Sequence, residues 1–167
     1  MPPGPPVALP LRCPRCGRTH RTPASEVGAT ACADCGFLPP RTAGDAPVLL
    51  PERDSEASPY YLDPATRDAY LALHYPDSDP LAPLLGERTP PLDERYPFAV
   101  RSLWRGEAPG VGLDVGCACG RSTLALAADL GAAIGIDRSP VLVDAGRAAW
   151  RRGEAHYEVV LEGEITA

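Results

Sequence analysis

The chain has no long apolar run: the longest such stretch, residues 124–136, is broken by Asp129. A helix that crosses a bilayer needs about 20 apolar residues, so none is expected. The opening MPPGPPVALPLR has neither a charged n-region nor an apolar h-region, so no secretory signal is read there and a soluble, cytoplasmic protein is expected. An excess of basic charge is missing too. Sixteen basic residues face 22 acidic ones, a net charge of −6, which argues against phosphate binding spread over the whole surface. No segment of about 20 to 50 residues recurs, which excludes a solenoid. At 167 residues the chain has room for one ordinary domain, or for a small module plus part of a larger one.

What is present divides the chain. Most of its 21 prolines precede Gly110, which predicts extended and turning backbone in that half. Residues 1–10 read as a disordered Pro-rich lead, 11–42 as a cysteine-bounded unit and 43–59 as a linker. Residues 60–109 read as a helical and loop lead-in, and 110–167 as an α/β segment. Within the lead-in, DPATRDAYLALHYP predicts a helix capped by Asp63, with Pro64 at its first position, Ala65, Ala69, Ala72 and Leu73 as its apolar residues, and Pro76 beyond its end. Residues 76–97 read as Pro-rich loop.

Six cysteines are present, and four form the pattern Cys13-x-x-Cys16, fifteen residues, Cys32-x-x-Cys35. Two residues between paired thiols let one turn aim both sulfurs at a single centre, and the second pair completes a tetrahedron. Four thiolates suit zinc in a closed structural site with no open position for substrate. Gly17 and Gly36 follow the second cysteine of each pair, where a knuckle needs tight backbone whose amides turn toward the sulfurs. His20 reads as a surface histidine, because four cysteines already fill the site. Arg12, Arg15, Arg18, Arg21 and Arg41 against Glu26 and Asp34 give the first 42 residues a charge of +3, which leaves room for a local acidic partner.

From Gly110 the pattern becomes strand, helix, strand, helix, strand. VGLDV and AAIGID read as buried strands. A helix is expected over residues 122–130, closed by Gly131, and a second in SPVLVDAGRAAWRRG, with Ser139 as cap, Pro140 first and Gly153 as terminator. HYEVVLE is expected to be the third strand, giving the first half of a doubly wound sheet.

Between the first strand and first helix of this segment runs Asp114-Val-Gly116-Cys117-Ala118-Cys119-Gly120. Gly116 permits the sharp turn, Gly120 lets the helix pack near the strand, and the helix start offers free N–H groups. Asp137 ends the next strand, 21 residues after Gly116, where a carboxylate can accept both hydroxyls of a ribose. Cys117 and Cys119 read as packing or cofactor-loop residues. The GxGxxG of dinucleotide sites is absent, whereas an acid followed by G-x-x-x-G resembles motif I of class I S-adenosylmethionine-dependent methyltransferases. Ala118 stands where that superfamily most often has a glycine.

A narrower resemblance rests on YYLDPATRDAYLALHY, YPFAVRSLW, LDVGCACGRSTLALA, IGIDRSPVLVDAGRAAWRRGE and YEVVLEGEIT. Together these are similar to the methyltransferase domain of the 4-mercaptohistidine N1-methyltransferase group of the ovothiol pathway, over residues 60–167. The resemblance implies a Rossmann-like sheet of which this chain supplies about three strands, and methylation of an imidazole nitrogen of a thiolated histidine. It implies S-adenosylmethionine held by Asp114, Gly116, Gly120 and Asp137, with Cys117 and Ala118 as loop positions, and assigns no catalytic base. The four-cysteine module is outside that pattern and resembles the zinc-binding extension of ribosomal RNA guanine methyltransferases, so the methyl acceptor stays open between a small imidazole compound and RNA. An RNA- or protein-binding adaptor and a nicotinamide-dependent enzyme are the other readings. Tyr60, Tyr61 and Arg101 read as packing aromatics and a surface arginine, with a place at a substrate pocket as the alternative. A seven-stranded sheet cut after three strands leaves the VGLDV edge open, so a truncated or split enzyme, inactive alone and covered there by a second polypeptide, is expected.

Overall fold

The computed structural model describes residues 8–23, 26–49, 59–76, 95, 99, 102, 110–158, 160–162 and 165–166. Two units are distinguished, 1–57 and 58–167. In the first, β1 (Ala8–Arg12) pairs antiparallel with β2 (Thr19–Pro23), Arg12 opposite Thr19 and Ala8 opposite Pro23. Residues 8–10, read as part of a disordered lead, therefore belong to a strand. Residues 43–49, read as linker, are folded as well. A bridge joins Arg41 to Pro47, Ala46 is buried, and the Val48 N–H bonds the Pro40 carbonyl at 2.8 Å. Gly28 accounts for their close seating, since a β-carbon there would lie 2.2 Å from that of Pro47.

The second unit opens with a 3₁₀ turn (Pro59–Leu62) and α1 (Pro64–His74). Asp63 caps α1 by accepting from the Thr66 N–H at 2.9 Å, and Pro64 begins it. Its buried residues are Thr66, Asp68 and Leu71, not the alanine stripe, and Leu73 is exposed. Polar partners explain the shift: the Thr66 hydroxyl also donates to Asp63, and Asp68 accepts from Arg67 at 2.7 Å. Beyond α1, Arg95, Ala99 and Ser102 have helical backbone, so at Arg95 the chain is already helical within the expected loop. Arg101 lies outside the described residues.

Strand β3 (Gly110–Val115) pairs in parallel with β4 (Gly131–Ile136), Gly110 opposite Gly131 and Val115 opposite Ile136. The crossover is α2 (Arg121–Leu130). It packs on the sheet over Gly112, where an added β-carbon would sit 3.1 Å from Leu130 and 3.2 Å from Leu126. Helix α3 (Pro140–Arg152) starts at Ser139, whose hydroxyl accepts the Leu142 N–H at 3.2 Å, and ends at Gly153 with φ +78°. Its core contacts are Leu142, Gly146 and Ala149. Leu142, Leu71, Ala118 and Cys119 form one buried cluster.

Among the described residues the expected third parallel strand is not formed. Residues 156–158 lie outside any strand, and β5 (Val160–Glu162) pairs antiparallel with β6 (Ile165–Thr166). A partner a few residues away satisfies the backbone with a very small loop to close, which favours the local hairpin over a distant strand edge. The parallel sheet thus has two strands among them, and Leu113 and Val115 on β3 are 62% and 72% exposed.

Candidate functional site

Two places concentrate chemistry. In the first unit the sequences CPRCG and CADCG make the same turn twice. The Gly17 N–H bonds the Cys13 carbonyl at 2.9 Å and the Cys13 N–H bonds the Arg18 carbonyl at 2.8 Å. The Gly36 N–H bonds Cys32 at 2.8 Å and the Cys32 N–H bonds Phe37 at 2.9 Å. Gly17 and Gly36 take φ of +73° and +69°, a conformation glycine adopts without penalty.

These turns bring Cys13, Cys16, Cys32 and Cys35 together with all sulfurs within 4.8 Å of one another. The Cys13–Cys35 and Cys16–Cys32 sulfurs are each 3.7 Å apart. Disulfide sulfurs lie at about 2.0 Å, so these are free thiols. Four sulfurs at about 2.3 Å from a tetrahedral zinc would be separated by about 3.8 Å. The cluster can therefore hold one metal ion, and its spacing suits zinc.

Backbone amides prepare the thiols for that charge. N–H groups of Cys16 and then Arg15 hold the Cys13 thiol down to about 6 against the opposing effect of burial. At Cys35 the Phe37 amide favours the thiolate, but burial and the hydrogen bonds of Cys16, Cys13 and Cys32 prevail and push the thiol up to about 12. Metal binding requires thiolates, so a bound cation would displace the thiol protons.

His20 is not a free surface group. Its Nε2 lies 2.8 Å from Asp34 Oδ2 and 3.5 Å from Cys32 Sγ, so it stands beside the cluster against one sulfur. The pairing of β1 with β2 places it there, a relation that no local sequence signal carries.

The second place is the loop at the carboxyl ends of β3 and β4, residues 116–120. Gly116 and Cys117 both donate N–H to the Ile136 carbonyl, at 2.8 and 3.0 Å, extending the pairing past the strand. Asp114 accepts the Thr123 hydroxyl at 2.6 Å, tying the end of β3 to the first turn of α2. Asp137 is engaged at both oxygens: Oδ2 accepts the Ala118 N–H at 3.0 Å and Oδ1 the Ser139 N–H at 2.8 Å. The two acids thus sit on either side of one loop, where the sequence reading put them, and Asp137 braces it. A β-carbon on Gly116, at φ +79°, would meet none of the described residues within 4 Å, so the space beside that backbone is open among them.

Ala118 has φ +46°. Left-handed backbone costs a residue with a β-carbon about 1–2 kcal/mol, which explains why a glycine suits this position and why Ala118 is held by burial and by Asp137.

Cys117 and Cys119 are packed, 7% and 1% exposed. Burial, first of all, pushes their thiols up to about 11 and about 12, so neither is an activated nucleophile. Two glycines that sequence reading missed make room for them. A β-carbon on Gly135 would lie 2.6 Å from Thr123 Oγ1 and 2.9 Å from Cys117 Sγ. One on Gly146 would lie 2.2 Å from the Cys119 carbonyl oxygen. That oxygen accepts the Tyr75 hydroxyl at 2.9 Å.

Around the loop stand side chains from the lead-in. The Arg121 guanidinium lies 5.8 Å from the Tyr75 ring centre. Burial lowers the His74 pKa, Asp114 works against that, and Arg121 adds to it. Tyr60 and Tyr61 are 63% and 41% exposed, so they are not the packing aromatics the sequence suggested. A separate cleft of about 320 Å³ between α1 and α3 is lined by Arg67, Leu71, Ala149, Arg152 and His156 among others and does not reach the glycine loop.

No model of a known protein family matches this chain, and no characterised protein matches it either. No helix among the described residues is long and apolar enough to cross a membrane.

Proposed function

We propose that residues 58–167 belong to an S-adenosylmethionine-dependent methyltransferase of class I, and that the four-cysteine unit is its structural zinc module. The observation that carries this reading is the pair of acids, Asp114 and Asp137, closing adjacent parallel strands on either side of a glycine loop, with space at Gly116 that no described residue fills. In open α/β sheets ligands bind outside the carboxyl ends of the strands. The cofactor fits this arrangement in its donors: Asp137 retains lone pairs for ribose hydroxyls, and the start of α2 is a helix N-terminus, which favours a negatively charged or polar ligand group. When bound, the cofactor supplies an electrophilic methyl group. The chain's own task is to orient it and exclude water. The methyl acceptor proposed is a thiolated histidine-like molecule, on the resemblance of residues 60–167. The exposed Leu113 and Val115 face fits an enzyme in which further polypeptide covers the sheet.

The test is calorimetric binding of S-adenosylhomocysteine to the whole chain, with Asp137→Asn as the comparison. Binding that this substitution weakens at least tenfold supports the reading. No binding by the parent chain, alone or with extracts that could supply a second polypeptide, rejects it.

A second reading has one observation in its favour. Arg12, Arg15, Arg18 and Arg21 are all exposed on the β1–β2 hairpin, and residues 8–23 contain no acid. Such a stripe suits an RNA phosphate backbone. Replacing Arg12, Arg15 and Arg18 would then abolish RNA retention with zinc content unchanged.

A further inference from the structure

Tyr60 and Tyr61 are large aromatic side chains left open to solvent, yet the turn that carries them is fixed. The Ser139 hydroxyl donates to the Tyr61 carbonyl at 2.8 Å while accepting the Leu142 N–H, and Ser139 itself is 1% exposed. A buried, fully used hydroxyl thus anchors the turn to the segment immediately after β4, two residues from Asp137. The two rings stand edge to face, 5.2 Å between centroids with planes at 80°, and so form two perpendicular walls. Burial above all, and then neighbouring Tyr61, Tyr60 and Asp137, raise the Tyr70 pKa, so Tyr70 lies near both the aromatic pair and the carboxylate. Leu62, 45% exposed, continues the patch.

Exposed aromatic surface held by buried polar contacts, beside a strand-end carboxylate, has the composition of a ring-binding subsite: a flat apolar wall with one polar group to fix orientation. We infer that Tyr60 and Tyr61 form the wall on which a flat nitrogen heterocycle stacks, with Asp137 at its edge accepting hydroxyl or N–H groups. The inference rests on the methyltransferase reading for its choice of ligand. Two such rings enter that reaction, the adenine of the cofactor and the imidazole of the acceptor, and the stacking chemistry is common to both.

The experiment is titration calorimetry of the full chain with S-adenosylhomocysteine, adenosine and histidine as separate probes. It is run on the parent, on Tyr60→Ala with Tyr61→Ala, on the corresponding double phenylalanine variant, and on Asp137→Asn. Stacking on an aromatic side chain is worth about 5- to 150-fold in affinity per ring. Loss of that size in the alanine variant, with recovery in the phenylalanine variant, is expected for at least one probe. Loss with adenosine assigns the wall to the cofactor, and loss with histidine assigns it to the acceptor. Because both rings are exposed, the melting temperature should not change, which separates stacking from folding. If S-adenosylhomocysteine binds in an Asp137-dependent way and the alanine variant binds all three probes as the parent does, the wall is refuted and the methyltransferase reading stands. If only histidine binds, and does so through the tyrosines, the wall stands and the cofactor reading falls. Binding of no probe by the parent, alone or with extracts that could supply a second polypeptide, refutes both.

Discussion

Gly146→Ala sets two physical effects against each other, and the tertiary structure decides which wins. In an isolated helix alanine is favoured over glycine by about 1 kcal/mol, so on propensity alone the variant is more stable. In the folded protein the new β-carbon would lie 2.2 Å from the Cys119 oxygen, 2.6 Å from its carbonyl carbon and 2.9 Å from its α-carbon. Carbon and carbonyl oxygen rest no closer than about 3.3 Å, so α3 and the loop would have to part by about 1 Å. All three obstacles are backbone atoms, and the oxygen also holds the Tyr75 hydroxyl, so no side chain can swing aside to relieve the clash. Overpacking of this kind costs about 3 kcal/mol or somewhat more, which leaves a net loss of about 2 kcal/mol. For a unit of this size that is a fall of roughly 10 °C in melting temperature. Differential scanning fluorimetry of parent and variant reads it directly. An unchanged or raised melting temperature would refute the close approach of α3 to the cysteine loop, and with it the placement of Cys119.

Further outcomes are expected. Purified protein should carry one zinc per chain by elemental analysis; serine at Cys13, Cys16, Cys32 or Cys35 should abolish it and alanine at His20 should not. Zinc should be released at acid pH, since protons then compete for the thiols, and titration of the zinc content against pH reads it. With zinc chelated at pH 8, iodoacetamide should modify only the four module cysteines in the folded chain, and peptide mass spectrometry should find Cys117 and Cys119 labelled only after denaturation. These two thiols ionise near 9.0 when unfolded and at about 11 and about 12 when folded. The stability they support is therefore intact below pH 9 and lost as the pH rises through 11 to 12, and chemical denaturation of a Cys117→Ala, Cys119→Ala variant should show a flatter alkaline limb. Ser139→Ala removes both the α3 cap and the anchor to Tyr61, for a loss of about 1–3 kcal/mol by urea denaturation.

The elements with signals inside their own few residues were legible from the sequence. Asp63 with Pro64, and Ser139 with Pro140 and Gly153, mark helix ends because capping is a contact between neighbours in the chain. The paired CxxCG turns announce a metal cluster for the same reason: each turn aims its own sulfurs. The acids at 114 and 137 could be placed because parallel strands with a crossover helix put successive strand ends side by side. What depended on distant partners was not legible. Whether residues 160–162 joined the parallel sheet or a hairpin was a competition between a remote strand edge and a local one, and the local one closed the smaller loop. Asp137 as a brace for Ala118, Gly135 and Gly146 as gaps for the cysteine loop, and the pinning of Tyr61 by Ser139 each join segments that meet only in the fold. Sequence alone fixed the kinds of chemistry at hand, through residue type and short spacing. Only the tertiary structure decided that the two loop cysteines are packing and that the tyrosines are exposed on a turn pinned to Ser139, because burial and close approach are properties of the neighbours a residue acquires on folding.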